Sequence, residues 1–385
     1  MIPLALLENL KNQFLLDPDI TFLNHGSFGA CPKTVCDNLQ DWQNRVEKEP
    51  VQFFETDIFP LLADSRKALG KFLGCEGDDL VYYPNPTHAV NAVARSLKLK
   101  AGDEVLGTNH IYGALDFTWQ QVCKDTGAEF IKADLPLPIN SKDEFLNIFF
   151  SYVSNKTRVI FISHITSMTA MIFPVNEIIQ FARQRDIITI IDGAHVPGHL
   201  PLNITELGPD IYTGACHKWM CAPKGSSFLY VKKSLQNEIM PPVISWGWEG
   251  ELSKTSLFLN RHEWQGTRDM TPFLVVPEAI KFLNDNNWQE RSQLNRKLVV
   301  STRNQFLEFL NIEPLCPDDW LGQMATIELP IDDPLEFKRS LMANYKIQIP
   351  VFSWENSTAL RYSVHFYNTE EDLNRLVVAV KELLH

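Results

Sequence analysis

The run Ile187 to Ile191 is short, β-branched and free of polar alternation, the pattern of a central strand buried on both faces of a sheet. It ends on an acid, Asp192. A second short strand, Asp210 to Thr213, follows, and beyond it His217-Lys218 lies in a stretch broken too often by Gly214, Pro223 and Gly225 to be a helix. Apolar strands of this kind need cover on both sides, which points to an α/β architecture with a mostly parallel sheet between helices. In open sheets of that class, ligands bind outside the carboxyl ends of the strands. Asp192 and Lys218 are both expected at that edge.

The rest of the chain agrees. Strands at Leu80–Tyr83, Glu104–Gly107, Glu129–Ala133 and Arg158–Ser163 alternate with helical patterns, one opened by Pro84-Asn85-Pro86-Thr87, one after Tyr112, then Lys142–Val153 and Pro174–Arg185. Asp41 to Phe72 is also helical, and the N-terminal segment suits a short helix. From Thr271 the pattern changes to a long helical run followed by ATIELP, KIQIPVF, ALRYSVHFY and a last helix from Glu370. This predicts a large domain over residues 1–270 and a smaller α+β domain over 271–385. Neither GxGxxG nor GxxxxGK[ST] occurs, which leaves a dinucleotide or P-loop site without support.

Composition narrows the partners. A balance of 35 basic against 47 acidic residues, net −12, argues against nucleic acid. No stretch approaches the ~20 apolar residues of a membrane span. Seven scattered cysteines without a CxxC pair read as reduced thiols, hence a cytoplasmic protein. Pro197 and Gly198 break the helical HxxxH that would align His195 with His199, so no metal site is expected there.

An acid at one strand end and a lysine after the next suit a cofactor that needs a cation stabilised at one edge and an imine at another. Pyridoxal 5'-phosphate (PLP) has those needs: its pyridine nitrogen is a good electron sink only while protonated, and its aldehyde forms a Schiff base with lysine. Taken singly, Asp192 reads better as a loop or cap aspartate and Lys218 as a solvated surface lysine.

Asp192-Gly193-Ala194-His195 and His217-Lys218, with 218 − 192 = 26 residues between acid and lysine, resemble the core motifs of the class V aminotransferase family of PLP enzymes. FLNHGSFGACP, NPTHAVNAVARS, HIYGALDFTW, GTRD and LRYSVHFYNT are similar, more narrowly, to the branch with isopenicillin N epimerase and hercynylcysteine sulfoxide lyase. The resemblance runs from Phe22 to Thr369 and implies the PLP-dependent transferase fold of type I.

It also implies roles. Lys218 would carry the cofactor and Asp192 its ring nitrogen. His195 would meet the phenolic oxygen, and Thr87, His88 and His217 the phosphate. By geometry alone Thr87 reads more readily as an ordinary helix cap. Tyr112, with His110 second, would stack on the ring and could exchange a proton. Asn24 and His25 lie in a loop that borders the active site in the family, which implies contact with the substrate, although the loop by itself reads equally as a simple entry turn. Thr267 would reach the cofactor of a neighbouring subunit, which implies a homodimer with shared sites. Arg361, inside an apolar strand, needs an anionic partner if buried, and the family uses this arginine for the substrate carboxylate.

The implied activity is chemistry at Cα of an amino acid or small peptide. Epimerisation is the first expectation, with carbon–sulfur lysis or transamination as rivals and a non-catalytic binding protein as a distant one. The desulfurases of this family place a nucleophilic cysteine shortly before the carboxylate-binding arginine. Here none occurs between Pro317 and Arg361, so a persulfide route is disfavoured.

Overall fold

A computed structural model describes residues 10–249, 256–355 and 357–385. The sequence expectations for residues 1–9 and for parts of the SWGWEGELSK and VFSWENS loops lie outside them. Twelve strands are described: β1 (Thr21–Phe22), β2 (Leu80–Tyr83), β3 (Glu104–Thr108), β4 (Glu129–Ala133), β5 (Thr157–Ser163), β6 (Ile188–Asp192), β7 (Ile211–Ala215), β8 (Ser227–Val231), β9 (Met324–Leu329), β10 (Ile347–Gln348), β11 (Val351–Trp354) and β12 (Ser357–Ser363).

Seven of them form one sheet in the order β2-β8-β7-β6-β5-β3-β4. The pairs from β7 to β4 are parallel, and β8 runs antiparallel to both β7 and β2. Six of these strands, all but β8, were legible from their apolar runs, and the reason appears in the packing. Ile191, Ile160 and Tyr212 point into one buried cluster, while Ile190, Val159 and Ile211 point into another on the opposite face. Successive side chains of a strand alternate between faces, so both must be apolar when helices cover both sides. Each such Ile, buried completely, contributes roughly 1.5–3 kcal/mol. A charge at Ile190 would break this core.

Helices close the crossovers and stop where the sequence provides a stop. Gly127 ends the helix Gly113–Thr126 in the left-handed conformation at φ 75°. Near the C-terminus, Thr369 and Asp372 form a reciprocal capping box at the start of Glu370–Leu384. β11, β12 and β9 make a separate antiparallel sheet that carries Arg361. β1 pairs with β10, so the N-terminal segment is tied to the C-terminal part of the chain. No helix among the described residues is long and apolar enough to cross a membrane.

Candidate active site

β6 delivers Asp192 at its carboxyl end, and the turns after β7 deliver His217 and Lys218 beside it. Together with Thr87, Tyr112 and His195 they line a cavity of about 560 Å³. Gly29, at φ 70°, lets the FLNHGSFG loop lie against the backbone of His217 and Lys218, where any side chain would collide with the His217 carbonyl.

Lys218 is half-buried, and its Nζ lies 3.2 Å from His195 Nε2. Burial first, then repulsion from Arg361, pushes the amine down to about 8, with Asp192 pulling the other way. Asp192 is buried, and burial raises its carboxyl above the ordinary range. An Ala194 N–H at 3.0 Å and the attraction of Lys218 oppose that rise. Burial keeps His195 neutral, and the Trp219 indole N–H donates to its Nδ1 at 3.2 Å.

Pro86 is the first residue of the helix Pro86–Ser96, so Thr87 stands inside the first turn rather than before it. The cap is Asn85, whose Oδ1 accepts the His88 N–H at 3.0 Å. His88 therefore has its backbone donor occupied, and Thr87 is the residue left with its N–H at the cavity. Pro86 costs little here, because a missing N–H at the first helical position is not needed. His217 donates Nδ1–H to the Ser226 carbonyl at 2.9 Å, and burial pulls its ring down to about 4.

Tyr112 and His110, adjacent in sequence, are separated by the fold. Tyr112 lines the cavity and is 42% exposed. His110 is buried with Nε2 on the Leu135 carbonyl and Nδ1 on the Thr169 hydroxyl, each at 3.0 Å. Its ring is committed to the core.

Arg361 is buried behind Ser27 and Ser167, both of which line the cavity. Its guanidinium donates to the Ser167 carbonyl, to Ser167 Oγ at 3.3 Å and to Ser27 Oγ at 3.0 Å. Its Nε has no partner, and among the described residues no carboxylate pairs with it. Burial lowers it to about 10, so it stays a cation at neutral pH, short of an anion.

Asn24 and His25 are not on this cavity wall, and neither is Thr267, which was expected at a neighbouring subunit's cofactor. His25 is fully buried, with Nδ1 accepting the Tyr367 hydroxyl at 2.8 Å and Nε2–H donating to the Lys218 carbonyl at 3.0 Å. With both nitrogens committed, it holds the lysine's backbone rather than a substrate. Asn24 Oδ1 accepts from Ser27 Oγ. Thr267 lies in a separate groove with Phe54, Phe59, Trp246 and Trp264. Trp246, Trp248 and Trp354 are likewise off the cavity wall.

Sequence reasoning missed four participants: Ser27, Ser167, Trp219 and Lys224. Lys224 is an exposed cation on the wall, and its place in Pro223-Lys224-Gly225 just after His-Lys was a usable signal. The serines and Trp219 had none, since their partners are fixed only by the fold. Among the described residues the wall carries no cysteine, and Cys316 is buried in the main core.

The donor set fits PLP. Asp192 is a buried carboxylate on the wall with, among the described residues, a protein donor to Oδ1 alone, suited to a protonated ring nitrogen. A half-buried amine and a helix N-terminus complete the set. Fold and site thus define a PLP-dependent enzyme of fold type I.

Comparison narrows the class. The family model "Aminotransferase class-V" matches residues 30–376. Isopenicillin N epimerase of Amycolatopsis lactamdurans is 34% identical, over 97% of this chain and 98% of the relative. Hercynylcysteine sulfoxide lyase of Schizosaccharomyces pombe is 26% identical over 97% of each. A solved structure of C-DES, with glycine covalently linked to its PLP cofactor, superposes with a TM-score of 0.83 at 20% identity, over 96% of this chain and 98% of that one. The chain belongs to the class V aminotransferase family.

Proposed function

We propose that this enzyme uses PLP to act at Cα of an amino acid or small peptide, and that its reaction is epimerisation. One observation carries the reading: Lys218, Asp192, Thr87 and Tyr112, from four separate segments, converge on one cavity with a buried, anion-free Arg361 behind it. PLP, when bound, supplies a sink for the electron pair left on Cα. Asp192 keeps a proton on the ring nitrogen. Arg361 grips the substrate carboxylate through parallel N–H donors. Lys218 takes the Cα proton, and the Tyr112 hydroxyl, which has no partner among the described residues, returns one from the other side.

Carbon–sulfur lysis is the second reading, favoured by the similarity to the sulfoxide lyase. It shares every step up to loss of the Cα proton, then expels a β-sulfur. A wall without cysteine suits direct release of that sulfur over a persulfide. The test is incubation of the PLP-loaded enzyme with amino acids, cysteine conjugates and small peptides in D2O. Deuterium at Cα with inversion and no released product supports the epimerase. Pyruvate release supports the lyase, and no exchange with any substrate rejects both.

A homodimer belongs to the same proposal, supported by the exposed Ile244 and Trp246 near the groove that holds Thr267. Seven unpaired cysteines support the cytoplasm as its compartment. The change of pattern near residue 270 supports a domain boundary there.

A further inference from the structure

The Trp219 side chain is fully buried, and an indole N–H can only donate. It lies 3.2 Å from His195 Nδ1, which must therefore accept and carry no hydrogen. A neutral imidazole in that position bears its hydrogen on Nε2, the atom 3.2 Å from Lys218 Nζ. A second proton on this ring is opposed by burial and by Lys218, Arg361, His199 and His217 around it. An ammonium at Lys218 would set N–H against N–H, whereas a neutral amine accepts the hydrogen through its lone pair. Of the other charged groups that act on this amine, Arg361 also favours the neutral form and Asp192 opposes it.

We infer that Trp219 is a positioning residue: its indole N–H fixes His195 as the Nε2–H tautomer, which in turn presents a hydrogen to Lys218 and favours its free-amine form over the ammonium. The inference rests on Lys218 being the reactive lysine, the reading proposed above. The free amine is the form with a lone pair for a carbonyl carbon or for a Cα proton. The same Nε2–H is the one donor His195 can offer a phenolic oxygen, so a single tautomer serves both tasks. The order of the segment, Lys218 followed directly by Trp219, places the amine and the indole on either side of one imidazole.

The experiment uses the full chain without added PLP, labelled with ¹⁵N-histidine and ¹³C-lysine. Two-bond ¹H–¹⁵N correlation reads the His195 tautomer, assigned with His195→Gln, and a pH titration reads Lys218, assigned with Lys218→Ala. The wild type should show Nε2–H at His195. Trp219→Phe keeps the buried ring and removes the N–H; it should release Nδ1–H into the equilibrium and raise the Lys218 midpoint by roughly half to one unit, the worth of one net hydrogen bond. An Nδ1–H tautomer in the wild type overturns the inference without any variant having to fold. A folded Trp219→Phe protein with tautomer and midpoint unchanged overturns it as well. PLP added to the same samples tests the cofactor reading separately: a protein that shows the tautomer lock yet gains no cofactor band keeps the lock and loses that reading.

Discussion

The two sides of Lys218 both carry polar side chains and behave differently. Behind it, His25 and His365 stack with ring centroids 3.7 Å apart at 9°, and His25 has both nitrogens bonded to protein. In front, Tyr112 is partly exposed with its hydroxyl free, and Arg361 Nε is unpartnered. The difference between His25 and Tyr112 teaches that a polar side chain near a reactive lysine is support when protein groups satisfy it, and is available for a ligand when they do not. Variants on the two sides should therefore separate chemistry from stability.

The largest effect in front is expected from Tyr112→Phe. The ring and its stacking remain, but loss of the hydroxyl should slow inversion at Cα by about 10²–10⁴-fold with cofactor affinity unchanged, measured by polarimetry and PLP titration. A rate within a few-fold of wild type would remove Tyr112 as the second acid. Arg361→Ala should follow, weakening kcat/KM about a hundredfold through KM while PLP still binds. Loss of PLP with substrate affinity intact would move the carboxylate site elsewhere.

On the rear, His25→Phe should invert that pattern. The Lys218 carbonyl and the Tyr367 hydroxyl each lose a partner, at a cost of about 1–3 kcal/mol of stability apiece, read from denaturant unfolding. A stable variant that has lost substrate binding would put His25 on the front side after all. The rear should also be sensitive to acid. Burial pulls His199 and His365 down to about 3, against 6.5 for the free side chain. The unfolded chain takes up protons from about pH 6.5 downwards while the folded one does not. The stability is whole above 6.5 and is lost as pH falls towards 3, by at most about 2 kcal/mol per histidine at pH 5. Equal denaturant midpoints at pH 7 and pH 5 would contradict this.

Much of this was legible. Ile187–Asp192 declared itself because a strand covered on both faces cannot hide polar residues, and Leu80–Tyr83 and Glu129–Ala133 fell where expected. β8, the antiparallel strand of the main sheet, was not separated, because Ser227–Val231 has the same apolar run as its parallel neighbours and sequence carries no sign of direction. Asp192 and Lys218 were legible as strand-end groups. The packing of His25 was not legible, because its partner Tyr367 lies 342 residues away. Tyr112 and His110 were separable only once the strand end had turned one ring to the cavity and the other to Leu135.

The central claim is that Lys218 holds the cofactor in this cavity. The visible absorption spectrum of the purified protein with added PLP, wild type beside Lys218→Ala, tests it most directly. The wild type should gain a band from lysine-bound cofactor that shifts when an amino acid is added, and the variant, folded by circular dichroism, should not. The same band in Lys218→Ala, or no band in either protein, would contradict the assignment.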